Sequence, residues 1–209
     1  MQYLPEFLIV ASVHLLAVMS PGPDFVMILK NSLVHSRRAG IYSAIGLGLG
    51  ILVHVSYSLV GIGLIISKSI VLFSIIKYAG ALYLIYIGYK SLRAKKIAPE
   101  NMIKTQTTEL GKSQAIKMGF LTNVLNPKAT LFFFALFTQV INPETPFVIQ
   151  TLYGLEMSVA TFIWFATVSI ILSHSIIRKK FTAIQHQVEK FFGAILILLG
   201  IKVAISSTK

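Results

Sequence analysis

The chain has 209 residues, of which 55 % are hydrophobic and only 12 % charged, with a formal net charge of +12. A soluble globular domain carries about 25 % charged residues, so half that fraction, with long uncharged runs, indicates an integral membrane protein rather than a soluble domain. The absence of cysteine excludes disulfides, thiolate metal sites and thiol catalysis, and the positive charges gather in loops rather than in a basic stripe with interleaved aromatics, which argues against nucleic acid as a partner.

At ~20 residues per span plus loops the length accommodates about six spans in one domain. The first apolar run covers residues 4–29 and is interrupted by Ser20-Pro21-Gly22-Pro23-Asp24. It has no basic segment ahead of it and carries Glu6, so it reads as the uncleaved start of a span rather than a leader. Lys30, His35, Arg37 and Arg38 form a short basic loop. The second span runs over 40–66, residues 68–77 read as a turn region, and the third span covers 78–89. Residues 90–117 are the one long polar segment, a linker between two halves. The fourth span, 118–141, is interrupted at Asn126-Pro127; a tight turn at 142–146 leads to the fifth, 147–172; a basic loop around Arg178-Lys179-Lys180 precedes the sixth, 191–206.

The two interruptions organise the rest. Pro21, Pro23 and Pro127 lack a backbone N–H, and Gly22 tolerates unusual backbone angles. Each cluster breaks a helix at depth, and the freed backbone groups need protein or a polar cavity, because lipid offers no partner. Pro127 follows Pro21 by 106 positions, and Lys77-Tyr78-Ala79-Gly80-Ala81 is echoed 113 positions later by Lys190-Phe191-Phe192-Gly193-Ala194. Three spans per half turn the second half upside down. The expected fold is an all-α integral membrane protein of six transmembrane helices, built as two inverted three-helix repeats with the first and fourth helices broken. A single transport domain spans 1–209, with repeat one at about 1–92, a linker at 93–117 and repeat two at 118–209. Fourteen lysines and arginines lie in the first, third and fifth loops against four on the opposite side, which predicts those loops to be cytoplasmic and both termini periplasmic.

Ionisable groups inside spans are costly and need a reason. Asp24 and Lys128 sit just past the two breaks, in near-equivalent places and with opposite charge. They read either as a buried ion pair that fixes how the halves pack, or as groups that bind substrate or couple its movement. The half-helices starting near Pro23 and Pro127 offer N-terminal N–H groups suited to a carboxylate. Those groups with Asp24 supply the anion site and the cation site that an amino acid requires. Asn123 and Asn126 can donate and accept, and Asn126 equally suits a cap on the half-helix begun by Pro127. Glu156 lies on the order of 13 Å into the fifth span at 1.5 Å per residue, a candidate proton relay or amine ligand. His54 reads as a hydrogen-bonded interhelical histidine or a relay; His14 and His35 carry less. Gly46, Gly48 and Gly50 form G-x-G-x-G in a membrane helix, where close packing rather than nucleotide binding is expected.

Ser20-Pro21-Gly22-Pro23 in the first span, with Gly119-Phe120, Asn123 and Asn126-Pro127-Lys128-Ala129 in the fourth, resemble the LysE/RhtB family of bacterial amino-acid exporters. Size, six apolar runs and the polar middle segment extend the resemblance over essentially the whole chain. It implies a multi-pass protein of the bacterial inner membrane that exports an amino acid or derivative such as lysine, arginine, threonine, homoserine, leucine or homoserine lactone, usually proposed to be driven by proton influx. The candidate transport-path residues are then Pro21, Gly22, Pro23, Asp24, Asn123, Asn126, Pro127, Lys128, Glu156 and His54; Asp24 lies outside the matched motif, so its role rests on physics. The partners implied are an amino-acid substrate, the lipid bilayer and, as a candidate, a second copy of the chain; no cofactor and no metal are called for. A metal-cation exporter using Asp24, Glu156, His54 and His14 is the alternative, opposed by the positive charge of Lys128. An intramembrane enzyme built on Ser20 and His54 lacks any Gly-x-Ser-x-Gly or His-Glu-x-x-His context.

Overall fold

The computed structural model describes residues 2–20, 22–68, 70–93, 110–142, 144–172, 187, 190–191, 193–198, 200–201 and 204–205. Seven α-helices are defined: α1 (Leu4–Met19), α2 (Pro23–Lys30), α3 (Arg37–Lys68), α4 (Ile70–Leu92), α5 (Lys112–Val124), α6 (Pro127–Gln139) and α7 (Phe147–Leu172). A further helical stretch lies around residues 193–198, and no strand occurs among the described residues.

Prolines set where the helices start. Pro5, Pro23 and Pro127 each occupy a first-turn position, where the missing N–H costs nothing. Ser20 ends α1 by giving its N–H to the Leu16 carbonyl, and Gly22 continues in extended backbone. The second helix passes into a π-helical turn, Asn31–His35. Ser36 then caps α3, its hydroxyl accepting the Ala39 N–H at 3.1 Å. The α6–α7 connection is pinned from afar: the Glu6 carboxylate accepts the Thr145 hydroxyl at 3.0 Å, and Asn142 Oδ1 accepts the Glu144 N–H.

Among the described residues, two helices are long and apolar enough to cross a bilayer alone, over Arg37–Gly61 and Phe147–Ile171. The pairs α1/α2 and α5/α6 pass the same test together, bent by 56° and 57° at their breaks, which makes up to four spans. Three expectations are corrected. The basic loop of Lys30, His35, Arg37 and Arg38 is helical apart from Ser36, because the π-helical turn continues α2 and α3 starts at Arg37. Residues 70–77 are helical, not a turn, because α4 starts at Ile70; Lys68 and Lys77 suggested a loop, but no glycine or proline lies between them to end a helix. Residues 112–117, assigned to the linker, already belong to α5, anchored by the buried Ala115. Most of the linker and the Arg178-Lys179-Lys180 loop lie outside the described residues.

The long helices α3 and α7 form the centre. One buried cluster joins Val10, Ile51, Val55, Phe133, Leu136, Tyr153 and Met157, and a second joins Phe25, Ile28, Leu29, Leu47, Phe165 and Val168. Both broken helices therefore pack against the same two straight ones. Glycines decide how closely. A Cβ at Gly46 would run into the Ile116 carbonyl oxygen and stand 2.6 Å from the Phe120 nitrogen, and one at Gly119 would strike the Ser43 carbonyl, so α3 and α5 touch backbone to backbone. Gly48, turned away from that seam, would meet the Ser158 carbonyl of α7 at 3.0 Å. The G-x-G-x-G thus serves two neighbours of one helix.

Candidate functional site

The two breaks meet. Asp24 is the second residue of α2, Asn123 stands in the last turn of α5, and Asn126 caps α6. Asn123 Nδ2 donates to Asp24 Oδ2 at 2.8 Å, and Asn126 Nδ2 donates to Oδ1 at 3.0 Å. The other half of the Asn126 amide, Oδ1, accepts the Lys128 N–H at 3.0 Å. One side chain therefore both caps α6 and donates to Asp24, and the cap determines which end of the amide faces Asp24.

Lys128 reaches in the opposite direction. Its Nζ donates to the Ser20 carbonyl at 3.0 Å and to the Ser20 hydroxyl at 2.9 Å, at the C-terminal end of α1, where the helix carries partial negative charge. It passes close to Gly22, where an added Cβ would lie in ordinary contact, 3.5 Å from Lys128 Cδ and Nζ. The carboxylate of the first break is thus held by amides of the second, and the ammonium of the second by a serine of the first. The Lys128 charge still acts on Asp24 across the site. Pro23 and Pro127 start the half-helices that carry these groups; Pro21 lies outside the described residues.

Both charges line one cavity of about 50 Å³, room for a handful of waters. Ser20, Gly22, Asn123 and Asn126 contribute its polar wall beside them, and Phe25, Ile51, Phe132, Phe133 and Phe165 its apolar wall. Such a compartment, mostly apolar with a few converging polar groups, is the common form of a small-molecule site. His14 and Thr161 also line it.

His54 stands behind this cavity rather than in it. Its Nε2 lies 3.0 Å from the Asn123 carbonyl and its Nδ1 2.6 Å from the Tyr57 hydroxyl, with its ring stacked on Phe133 at 5.4 Å and 10°. The carbonyl can only accept, so Nε2 carries the proton and Nδ1 takes the tyrosine hydrogen. The histidine is a satisfied interhelical link that steadies the backbone of Asn123. Glu156 is half-buried, its Oε2 has no hydrogen-bond partner among the described residues, and it does not line the cavity. The inward face of α7 is the series Tyr153, Met157, Thr161, Phe165, spaced by four, and Glu156 stands one residue and so about 100° off it. That spacing was the available signal for Thr161, which the sequence reading passed over in favour of the charge. Ser20 is bonded to Lys128, not to His54, and among the described residues no three of the His, Asp and Glu side chains gather as a metal-binding group.

The sequence profile of the LysE type translocator family matches residues 15–207. The threonine efflux protein of Escherichia coli (strain K12) is 31 % identical over 201 residues, covering 96 % of this chain and 98 % of that protein. The uncharacterized membrane protein YrhP of Bacillus subtilis (strain 168) is also 31 % identical, over 90 % of this chain and 93 % of its own. The homoserine/homoserine lactone efflux protein of Salmonella typhimurium is 34 % identical over 135 residues, 64 % of each chain. No solved structure matches.

Proposed function

The chain belongs to the LysE type translocator family, and on that premise we propose that the cavity between its two breaks holds an amino acid or amino-acid derivative during export across the bacterial inner membrane. The observation that carries this reading is the crossed pair of charges: Asp24 and Lys128, each from a different broken helix, line one cavity. An amino acid is a zwitterion with its charges a few ångströms apart. Asp24, already accepting two amide donors, has lone pairs left for an ammonium. Lys128 and the N-terminal ends of α2 and α6 favour the carboxylate. Amino-acid export agrees with the efflux named for the relatives of known activity, and the chain is a translocator rather than an enzyme. A metal-cation exporter gains nothing from the site, where the ammonium of Lys128 would repel the cargo.

The transport cycle follows from the same groups. When the substrate leaves, Asp24 is left without its ammonium, and a proton taken from outside neutralises it for the return step. The breaks let each half-helix tilt without unwinding the straight helices α3 and α7. Six spans in two inverted repeats are supported by paired contacts. A Cβ at Gly88 would lie 2.5 Å from the Gly193 carbonyl, and one at Gly200 would lie 2.8 Å from that of Ala81. An offset of 112, one residue from that of the sequence echo, sends Gly200 to Gly88 and Gly193 to Ala81, so the two contacts are counterparts under a two-fold axis. The link of α1 to α7 through His14 and Thr161 likewise has its counterpart in the link of α5 to α3 through Asn123 and His54.

Cells loaded with dipeptides and expressing the protein are expected to release at least one amino acid several-fold faster than cells carrying an empty vector. Equal release across a panel of labelled amino acids would remove the export reading. The charge asymmetry of the loops supports an orientation with both termini outside, so a reporter fused after Lys209 is expected to be active only if it works in the periplasm. Activity of a reporter that functions only in the cytoplasm would overturn that orientation.

A further inference from the structure

One wall of the cavity is not explained by the zwitterion. His14 is 1 % exposed and Thr161 likewise, and both line the cavity. His14 Nε2 lies 3.3 Å from the Thr161 hydroxyl oxygen. Its Nδ1 is buried and has no hydrogen-bond partner among the described residues. The ring is flanked by Phe132 and Phe133 at centroid distances of 6.3 and 6.0 Å, so neither phenyl offers a hydrogen bond. If the threonine hydroxyl donates to Nε2, then Nδ1–H is an orphaned donor; if Nε2–H donates to the hydroxyl, Nδ1 is an orphaned acceptor. Either way His14, a residue of the cavity lining, keeps one buried polar atom without a partner among the described residues, and native interiors seldom tolerate one without a reason.

We propose that His14 and Thr161 are the specificity-determining pair of the transport site, recognising a hydroxyl group on the side chain of the transported amino acid. This deepens the amino-acid export reading and rests on it. A hydroxyl both donates and accepts, so it satisfies Nδ1 in either tautomer, whereas a methyl group in the same place leaves the orphan buried and displaces any water that served it. Position agrees: His14 precedes Ser20 by six residues of one helix, about 9 Å at 1.5 Å per residue. The pair therefore stands across the cavity from the groups that hold the ammonium and carboxylate. The cavity of about 50 Å³ suits a short side chain between these two ends. A site built to hydrogen-bond a hydroxyl rejects the analogue lacking it far more strongly than an apolar pocket rejects a missing methylene.

The test is counterflow in proteoliposomes with labelled threonine and valine, which differ by hydroxyl against methyl at nearly equal volume. The wild-type protein is expected to favour threonine by about 10-fold or more. Thr161→Val and His14→Phe are expected to bring the ratio close to one, while Thr161→Ser and His14→Gln, which keep hydrogen-bonding groups, retain most of it. The ratio within one preparation is insensitive to how much protein folds. Should Thr161→Val not express, His14→Phe measured against His14→Gln decides. A wild-type ratio near one, uptake of other amino acids but not threonine, or variants that lower both substrates with the ratio intact would overturn the assignment and leave the export reading standing. Uptake of no amino acid at all by the wild type overturns both.

Discussion

Asp24→Asn is expected to abolish export while leaving a folded protein. The carboxylate accepts one hydrogen bond from Asn123 and one from Asn126, and an amide in its place turns an NH2 toward one of those donors. One hydrogen bond to the carboxylate is lost, at about 1.5–3 kcal/mol, offset in part because a buried charge is removed. The loss to transport is larger, because on the proposed cycle the negative charge that would meet the substrate ammonium and the returning proton is gone. A fall of about two orders of magnitude in export is the expected result. Lys128→Ala is expected to be worse for stability, since Lys128 is the only cationic side chain lining the cavity among the described residues, and its loss takes the Lys128 donor from the Ser20 carbonyl and hydroxyl and the nearby positive charge from Asp24. Asp24→Asn combined with Lys128→Met removes both charges and is expected to recover melting temperature in detergent but not export. A double variant that recovers neither property, or both, would show that the pair is not a functional midplane site.

What could be read from the sequence was whatever lies within one helix turn. Proline and glycine inside an apolar run identify a break wherever they occur, and the bends between Met19 and Pro23 and between Val124 and Pro127 lie where Pro21-Gly22-Pro23 and Asn126-Pro127 put them. The cap by Asn126 is equally local, a side chain acting two residues ahead. What could not be read is which group satisfies which across about 100 positions. Charge pattern left Asp24 and Lys128 as an ion pair or as groups that bind substrate, and gave no sign that hydrogen bonds would run from Asp24 to Asn123 and Asn126 and from Lys128 to Ser20. A buried charge is stabilised by several fixed dipoles as well as by a countercharge, and uncharged partners add no desolvation cost of a second ion. The same attention to charge favoured Glu156 over Thr161, although the side chain's place on the α7 face, not its charge, decides whether it sees the cavity. It also made a turn of residues 68–77, where two lysines sit in an otherwise apolar stretch without any residue that breaks a helix.

The seam between α3 and α5 carries the second large effect. The neighbours of a Cβ at Gly46 would be the Ile116 carbonyl, the Phe120 nitrogen and the Gly119 Cα; all are backbone atoms. No rotamer change relieves such a collision, so α3 and α5 must separate, and overpacking of this kind costs about 1–3 kcal/mol or more. Since α5 carries Asn123 at its end, separation also withdraws a donor from Asp24. Gly46→Ala and Gly119→Ala are expected to lower the melting temperature and export together. Gly50→Ala should differ in kind. Its Cβ would stand 2.6 Å from Asn123 Oδ1 and 2.8 Å from Asn123 Cβ; the amide can turn away, the Cβ moves only with a local shift of α5, and the residue displaced is the one holding Asp24. Export is expected to fall at least tenfold, with a smaller loss of thermal stability than at Gly46. Gly61, on the same helix, has nothing within 4 Å of its added Cβ, and alanine there is expected to be neutral or slightly stabilising, because alanine is the better helix former by about 0.8–1 kcal/mol. Melting curves and export rates of the four variants test the seam directly: if Gly46→Ala melts with Gly61→Ala, the helices are not held backbone to backbone, and if Gly50→Ala exports at the wild-type rate, Asn123 does not need the space that glycine leaves it.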